Sequence, residues 1–443
     1  MERVVVVGGG SMGAGIAAVA LEAGCDVRIV EPDAGARDRA LDRVVGAEMI
    51  ARVPTDDAVS LAIEAVPERL ELKREIFAKL ARALPHAVLA TNTSSLSVAE
   101  IAEAGDPSRT VGLHFFNPPE KMQLVEVVRT RQSSDAAITA AREFVERVGK
   151  VSILTADTPG FVVNRVARPY YLQAIRALEA GVADMDALDA LARGIGFRMG
   201  PFELMDFIGL DVNLATSESV YERTRAPRFE PRAMQRELVA RGQFGRKSGA
   251  GFYDYDVPPQ RLDLRRVART KRFEPRVGVV ADEELTSELV KLGARAGIDG
   301  EEDIVVVDAY GMDLEERARS APRPERVVGV GVVGRLADQA GVEIVASSAT
   351  SKDALALAVD AFDGVGHGAV RVRNVPGLFL GRVVASIVDE ARTVVREGIA
   401  SGNDVDLAMR LGTNYPRGPI EWGPEIGERR VARILDSIKL TDT

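Results

Sequence analysis

Apolar positions in this chain come first as short unbroken runs and then as helical stripes, and the opening thirty residues set the rhythm. Val4-Val5-Val6-Val7 is the kind of run that a strand buried on both faces requires. Gly8-Gly9-Gly10-Ser11-Met12-Gly13 interrupts it, and a small-residue helix follows from Ala14 to Ala23. Gly24 stops that helix, and Val27 to Val30 reads as a second strand ending on Glu31. From there helix and strand alternate. The pattern predicts a helix over about 34–51, a strand over 61–66, a helix over 69–83 and a strand over 88–90. Ser97-Val98-Ala99-Glu100 reads as a capping box opening a short helix. Strands over 110–114 and 122–128, a helix over 135–148 and a strand over 151–154 complete the series. Such alternation gives a mostly parallel sheet with helices on both faces. At Asp157-Thr158-Pro159-Gly160 the text turns almost wholly helical, as far as about Tyr221.

The pattern then repeats. Pro107-Ser108-Arg109-Thr110-Val111-Gly112 recurs 217 positions later as Pro324-Glu325-Arg326-Val327-Val328-Gly329. At the same spacing Gly149 meets Gly366, Pro159-Gly160 meets Pro376-Gly377 and Arg165 meets Arg382; after one inserted residue Gly200-Pro201 meets Gly418-Pro419. The second copy lacks a counterpart of residues 1 to about 57. The expected partition is an α/β Rossmann-type domain (1–156), an all-α domain (157–257), a charged linker (258–277), a degenerate, truncated α/β domain (278–372) and a second helical domain (373–443).

Composition narrows the function classes. A chain of 443 residues exceeds one hydrophobic core, and 46% hydrophobic with 28% charged residues is ordinary for a soluble globular protein. A net charge of −9 makes nucleic acid and anionic membrane surfaces poor partners. A single cysteine, Cys25, excludes an internal disulfide and suits a reducing cytoplasm. No segment reads as a signal peptide or as a bilayer span of about 20 apolar residues. One Cys and three His offer no expected metal cluster.

The interrupted first strand carries the first chemistry. Strand, G-x-G-x-x-G, helix, strand and acid in that order form a dinucleotide-binding fingerprint in its proper context. Gly8 allows the tight turn, Gly10 lets a pyrophosphate approach bare backbone, and Gly13 lets the helix lie close on the sheet. With Ser11 and Met12 they are the candidate cofactor contacts of the loop, where free N–H groups and a positive helix end face the phosphates. Glu31 accepts from ribose hydroxyls and repels a 2′-phosphate, so NAD is the expected cofactor. Gly329-Val330-Gly331-Val332-Val333-Gly334 spells the same motif but corresponds to Gly112–Asn117, and no acid follows it; it is a decoy.

Oxidation of an alcohol also needs a group to take the hydroxyl proton, a task suited to histidine. His86 precedes a strand, at the sheet end opposite the cofactor, and His367 lies in the copy without a nucleotide loop. His114 ends a strand, where ligands bind in open α/β sheets. Glu126 stands twelve residues on, and a hairpin return through Asn117-Pro118-Pro119 brings it to His114, to orient the ring and stabilise the imidazolium. A solvated strand carboxylate is the alternative, and Glu343, persisting opposite Gly331, favours it.

Several motifs together carry a resemblance. Gly8–Ala17, Asn92-Thr93-Ser94-Ser95-Leu96, His114-Phe115-Phe116-Asn117-Pro118, Asp157–Arg165 and Gly245-Arg246-Lys247-Ser248-Gly249-Ala250-Gly251-Phe252-Tyr253 occur in order. Over about 1–256 the chain closely resembles the L-3-hydroxyacyl-CoA dehydrogenases. Met409–Gly412 and Asn414–Pro419 resemble the second C-terminal domain of the longer bacterial members.

The resemblance implies NAD-dependent, reversible oxidation of an L-3-hydroxyacyl-CoA to the 3-oxoacyl-CoA, as in fatty-acid β-oxidation. The implied substrate is short, such as 3-hydroxybutyryl-CoA, or dicarboxylic, such as 3-hydroxyadipyl-CoA. It implies that His114 is the base and Glu126 its orienting partner, that Ser94 hydrogen-bonds the substrate oxygen, and that Asn164 fixes the thioester end. Glu68, Lys73, Asn92, Asn117 and Lys247, with Ser94, match cofactor-contacting positions. Read without the resemblance, Ser94 is also a turn hydroxyl, Asn164 a polar residue at a helix entrance and Lys73 a solvated helix charge. The family carries a longer helical hairpin between Glu31 and Leu61 that helps grip coenzyme A; here Arg39 and Arg43 on a short helix are its candidates, or plain surface arginines. A dehydrogenase of free 3-hydroxy acids and an NAD-binding protein without turnover are the rival readings. The family's helical domain pairs across a dimer, so a homodimer or an intrachain pseudo-dimer is expected. In the second copy Ser94, His114, Asn117 and Asn164 correspond to Gly311, Gly331, Gly334 and Gly381, which predicts a degenerate, structural half.

Overall fold

The structure is a computed structural model that describes residues 2–257, 261–310 and 313–439. Gly311, the start of the expected linker (258–260) and the last four residues of the second helical domain lie outside the described residues. The chain divides into two compact units that do not follow the order of the repeat. One comprises Met1–Val166, Glu222–Thr224 and Arg392–Thr413; the other comprises Ala167–Tyr221, Arg225–Ala391 and Asn414–Thr443.

The first unit is built on an eight-stranded sheet. Its strands are β1 (Arg3–Val7), β2 (Asp26–Val30), β3 (Glu48–Ile50), β4 (Leu61–Glu64), β5 (Val88–Thr91), β6 (Thr110–Phe115), β7 (Leu124–Arg129) and β8 (Val151–Ala156), in the order β3-β2-β1-β4-β5-β6-β7-β8. All neighbours are parallel except β6 and β7. Val4, Val5 and Val6 of β1 are fully buried, as an all-parallel centre demands. Helices α1 (Ser11–Glu22), α2 (Ala34–Leu41), α3 (Leu70–Ala83), α4 (Val98–Ala102) and α5 (Asp135–Arg147) connect the strands. The Ser97 and Ser134 side chains cap α4 and α5 by accepting from Glu100 N and Ala137 N. The strand order reverses between β1 and β4, which opens the ligand crevice at their carboxyl ends.

One expected element is corrected. The helix expected over about 34–51 ends at Leu41, and Glu48–Ile50 is a strand on the sheet edge. Only Ala40 of α2 is buried, so no apolar stripe extends the helix. Gly46, at φ 104°, turns the chain, and Met49 and Ile50 pair with Ile29 and Val30 while Glu48 takes the Arg28 guanidinium at 2.7 Å. Arg28 also binds Asp56 at 2.8 Å, which holds it on the sheet edge.

The second unit holds the other sheet: β9 (Val277–Val280), β10 (Arg295–Ala296), β11 (Ile304–Asp308), β12 (Val327–Gly331), β13 (Gly341–Ala346) and β14 (Gly368–Val372), ordered β10-β9-β11-β12-β13-β14. It repeats the end of the first sheet, including the single antiparallel pair, β12 with β13. The helical segments are exchanged between copies. In the second unit Ala340 N donates to Gly194 O at 2.8 Å, so the first copy's helix Met185–Gly194 ends on the second copy's β13. In the first unit the second copy's helix Gly402–Thr413 lies on β7, where a Cβ at Gly412 would come within 2.9 Å of Leu124. Ala156 N donates to Ile399 O, and Arg165 pairs with Glu397 at 2.8 Å.

Candidate active site

At the head of the first unit the glycine loop is shaped by its own backbone. Gly8 has φ 111°, and a Cβ there would meet the Ala65 carbonyl oxygen at 2.7 Å; a Cβ at Gly13 would meet the Gly8 oxygen at 2.0 Å. A Cβ at Gly10 would meet nothing within 4 Å, so the space beside it is left for a ligand rather than filled by protein. No side chain caps α1, whose first turn includes Ser11, Met12 and Gly13. Glu31, half-buried at the end of β2, accepts from Gly9 N at 2.9 Å and Asp33 N at 3.1 Å. A bare cradle, an uncapped helix start and one acid beyond the second strand fit an NAD molecule.

The antiparallel pair β6–β7 places His114 directly opposite Glu126. His114 Nδ1 lies 2.6 Å from Glu126 Oε2, and the residues are 6% and 0% exposed. Glu126 Oε1 accepts from Val162 N and Val163 N, both at 3.0 Å, where the chain enters α6 (Val163–Val166). The glutamate is therefore no solvated strand carboxylate. The ring packs between Phe116 and Phe161, with centroids 4.6 and 5.6 Å away. With Nδ1 committed to the carboxylate, proton acceptance falls to Nε2.

The loop after β5 carries Asn92 and Ser94. Asn92 Oδ1 accepts from Phe115 N at 2.8 Å, beside His114. Glu68 Oε1 gathers Thr93 Oγ1 (2.6 Å), Ser94 N, Ser95 N and Ser95 Oγ (each 3.0 Å). Burial by itself pushes the Glu68 carboxyl up, but Lys73 and these donors outweigh it and hold the group below the usual glutamate value. Lys73 is 1% exposed and bridges Glu64 (2.7 Å) and Glu68 (3.2 Å), so it is not a solvated helix charge. Asn164 is half-buried in α6, and Asn117 is exposed in the loop between β6 and β7. Lys247 belongs to the other unit, on its Gly-rich turn, exposed and paired with Asp211 at 2.6 Å. Arg39 and Arg43 are exposed on and just after α2, and His86 is exposed in the turn before β5. Sequence reading passed over Glu64, although a charge within the apolar run of β4 was the signal that could have found it.

The second copy keeps the frame and fills the site. Glu343 faces Gly331 across β12–β13, as Glu126 faces His114. Its Oε1 accepts from Phe379 N at 2.8 Å, and its Oε2 takes the Tyr310 hydroxyl at 2.6 Å. A Cβ at Gly331 would lie 3.0 Å from that hydroxyl, and one at Gly381 would lie 2.8 Å from the Tyr310 ring. At the asparagine position Tyr310 occupies the space, and at the histidine position Tyr310 shares it with Leu378, whose Cδ1 would lie 2.9 Å from a Cβ at Gly331. His367 is framework too: its Nδ1 lies 2.8 Å from Gln339 O, just as Lys150, 217 positions earlier, donates to Met122 O at 2.8 Å. Among the described residues no His, Cys, Asp and Glu cluster could hold a metal, and no helix is long and apolar enough to cross a membrane.

Comparisons with known proteins bear on this geometry. The family model described as 3-hydroxyacyl-CoA dehydrogenase, NAD binding domain, matches residues 3–53 and 47–158. That of the 3-hydroxyacyl-CoA dehydrogenase C-terminal domain matches twice, over 160–255 and 377–442. The chain is 37% identical to the 3-hydroxyadipyl-CoA dehydrogenase of Escherichia coli (strain K12), over 99% of this chain and 94% of that protein. It is 40% identical to a 3-hydroxybutyryl-CoA dehydrogenase of Mycobacterium tuberculosis, over 58% of this chain and 99% of the relative. The crystal structure of a 3-hydroxybutyryl-CoA dehydrogenase from Escherichia coli K12 superposes with a TM-score of 0.85 at 34% identity, covering 99% of this chain and 94% of that one.

Proposed function

The chain belongs to the 3-hydroxyacyl-CoA dehydrogenase family, and we propose how its residues divide the NAD-dependent oxidation of an L-3-hydroxyacyl-CoA between them. His114 Nε2 takes the hydroxyl proton of the substrate. Glu126, fully buried and tied to two backbone N–H groups, holds the ring by Nδ1 and offsets the charge of the imidazolium. Ser94 donates to the reacting oxygen, and Asn164 holds the thioester end. Bound NAD supplies the hydride acceptor. Gly8, Gly10, Ser11, Met12 and Gly13 hold its pyrophosphate and Glu31 its ribose, with Glu68, Lys73, Asn92, Asn117 and Lys247 as further cofactor positions. Since Lys73 is sealed from solvent, it acts on a ligand through Glu68.

The observation that carries this reading is the 2.6 Å contact between the His114 ring and a sealed carboxylate at the carboxyl edge of the sheet. The acyl group is short, either plain C4 or dicarboxylic C6, a range supported by the names given to the full-length Escherichia coli K12 matches. The partition at 156, 257, 277 and 372 follows the repeat. The protein works in the cytoplasm as an intrachain pseudo-dimer, a reading supported by the helices exchanged between copies.

The test follows NADH oxidation with acetoacetyl-CoA, then a panel of 3-hydroxybutyryl-, 3-hydroxyadipyl- and longer CoA thioesters beside the free acids. His114→Ala should lose at least about 10³-fold in kcat. Full turnover by that variant, or preference for a free acid, would overturn the assignment.

A further inference from the structure

Glu64 has no place in the mechanism above, yet it is among the most enclosed acids in the first unit. It ends β4 at 0% exposure and accepts from Lys73 Nζ, Thr91 Oγ1 and Val66 N, each at 2.7 Å. A buried carboxylate is retained only with such partners. Lys73 then passes the contact on to Glu68, and Glu68 collects the Thr93–Ser95 turn on one oxygen. Three side chains, Glu64, Lys73 and Glu68, thus run unbroken from the middle of the sheet to the backbone of Ser94.

The second copy supplies the control. Pairing of Val305 with Gly278 repeats the pairing of Val88 with Leu61, so Glu64 corresponds to Ala281. Glu126, which also ties a strand to a helix entrance, persists there as Glu343. The Glu64 carboxylate disappears together with the serine and histidine.

We propose that Glu64 is a positioning residue for the dehydrogenase reaction, acting through Lys73 and Glu68 to set the Ser94 hydroxyl against the substrate oxygen. The inference rests on the role given to Ser94. In Glu64→Gln the amide oxygen can keep Lys73 Nζ and Val66 N while the NH₂ meets the Thr91 hydroxyl, so the contacts stay but the negative charge that holds Lys73 at the sheet is lost and Lys73 is drawn toward Glu68. A shift of the Ser94 turn by a fraction of an ångström is felt in the chemistry.

The experiment is a double-mutant cycle on the full-length protein, with acetoacetyl-CoA and NADH as probes. Glu64→Gln should lower kcat/KM by about 10- to 100-fold. NADH affinity, read by its own fluorescence, should fall by less than kcat/KM does, since Glu68 is also a cofactor position. In a Ser94→Ala background the same substitution should cost less than about twofold. Equal losses in both backgrounds, a loss of NADH affinity as large as the loss of kcat/KM, or a lowered Tm with wild-type kinetics would each overturn the proposal. Should Glu64→Gln not fold, Glu64→Gln with Lys73→Met removes the charge pair as a unit and is read in the same two backgrounds. A silent Ser94→Ala removes the reading of Ser94 and this inference with it; an effective but uncoupled Ser94→Ala removes this inference alone.

Discussion

Two glutamates, 217 positions apart, occupy the same place in two copies of one fold. Each sits on the antiparallel strand, fully buried, with one oxygen on the backbone N–H groups of the helix that follows. They differ in what the other oxygen meets: an imidazole for Glu126, a phenol for Glu343. The shared half of the role is architectural, a tie between strand and helix. The unshared half is chemical. Persistence of the acid in the second copy therefore counts neither for nor against its role in the first. Burial pushes the Glu343 carboxyl up to about 7, with the Tyr310 hydroxyl and two amides opposing it.

The sharpest way to break this comparison is the same substitution in both places. Gln at either position keeps an oxygen for the helix amides and turns an NH₂ toward the ring. Against Tyr310 that is harmless, because a phenol accepts as readily as it donates. Against His114 it forces the proton from Nδ1 to Nε2, so the base is lost although its position is kept. Glu126→Gln should lose about 10³- to 10⁴-fold in kcat, and Glu343→Gln less than about twofold, both read by NADH oxidation. Equal effects would mean the dyad is architecture alone.

The next effect is on stability. With its folded value raised to about 7, Glu343 binds a proton in the folded chain at pH values where the unfolded chain has released it. Its contribution is fully present below about pH 4 and fades as pH rises through 7. The loss across that window is about 3 kcal/mol. Asp189, raised to about 7 chiefly by burial, adds a slope of the same sign. Urea unfolding of Glu343→Gln at half-unit intervals should therefore show a flatter decline between pH 5 and 7 than the wild type. An unchanged slope would place the titration elsewhere.

How much of this the sequence disclosed depended on distance along the chain. The glycine loop and Glu31 are local, and the hairpin pairing of His114 with Glu126 spans twelve residues of alternating strand; both were legible. The helix expected over 34–51 was not, because its polar face resembles a surface helix and its end is decided by β2, which recruits Glu48–Ile50 as a strand. The glycines at 331 and 381 were legible as losses but not as consequences. Their shared neighbour, Tyr310, is remote from both in the chain, and a hydroxyl aimed at a carboxylate leaves no period. Burial of Lys73 was hidden similarly, since a lysine on an amphipathic helix reads as solvated until both its acids are located.

The smallest effect sharpens the comparison from the tyrosine's side. Tyr310→Phe keeps the ring that fills the space above Gly381 and removes the hydroxyl that lies against Gly331 and donates to Glu343. At pH 8 the carboxylate is ionised and would be left short of one hydrogen bond in a closed interior, a cost of about 1–3 kcal/mol. At pH 5 the carboxyl is protonated and needs that donor less, so the cost should shrink, and the titration midpoint should move further up. Turnover should not change at either pH. A cost that is the same at pH 5 and pH 8 would mean the hydroxyl acts independently of the charge on Glu343, and that the two glutamates are less alike than their backbones suggest.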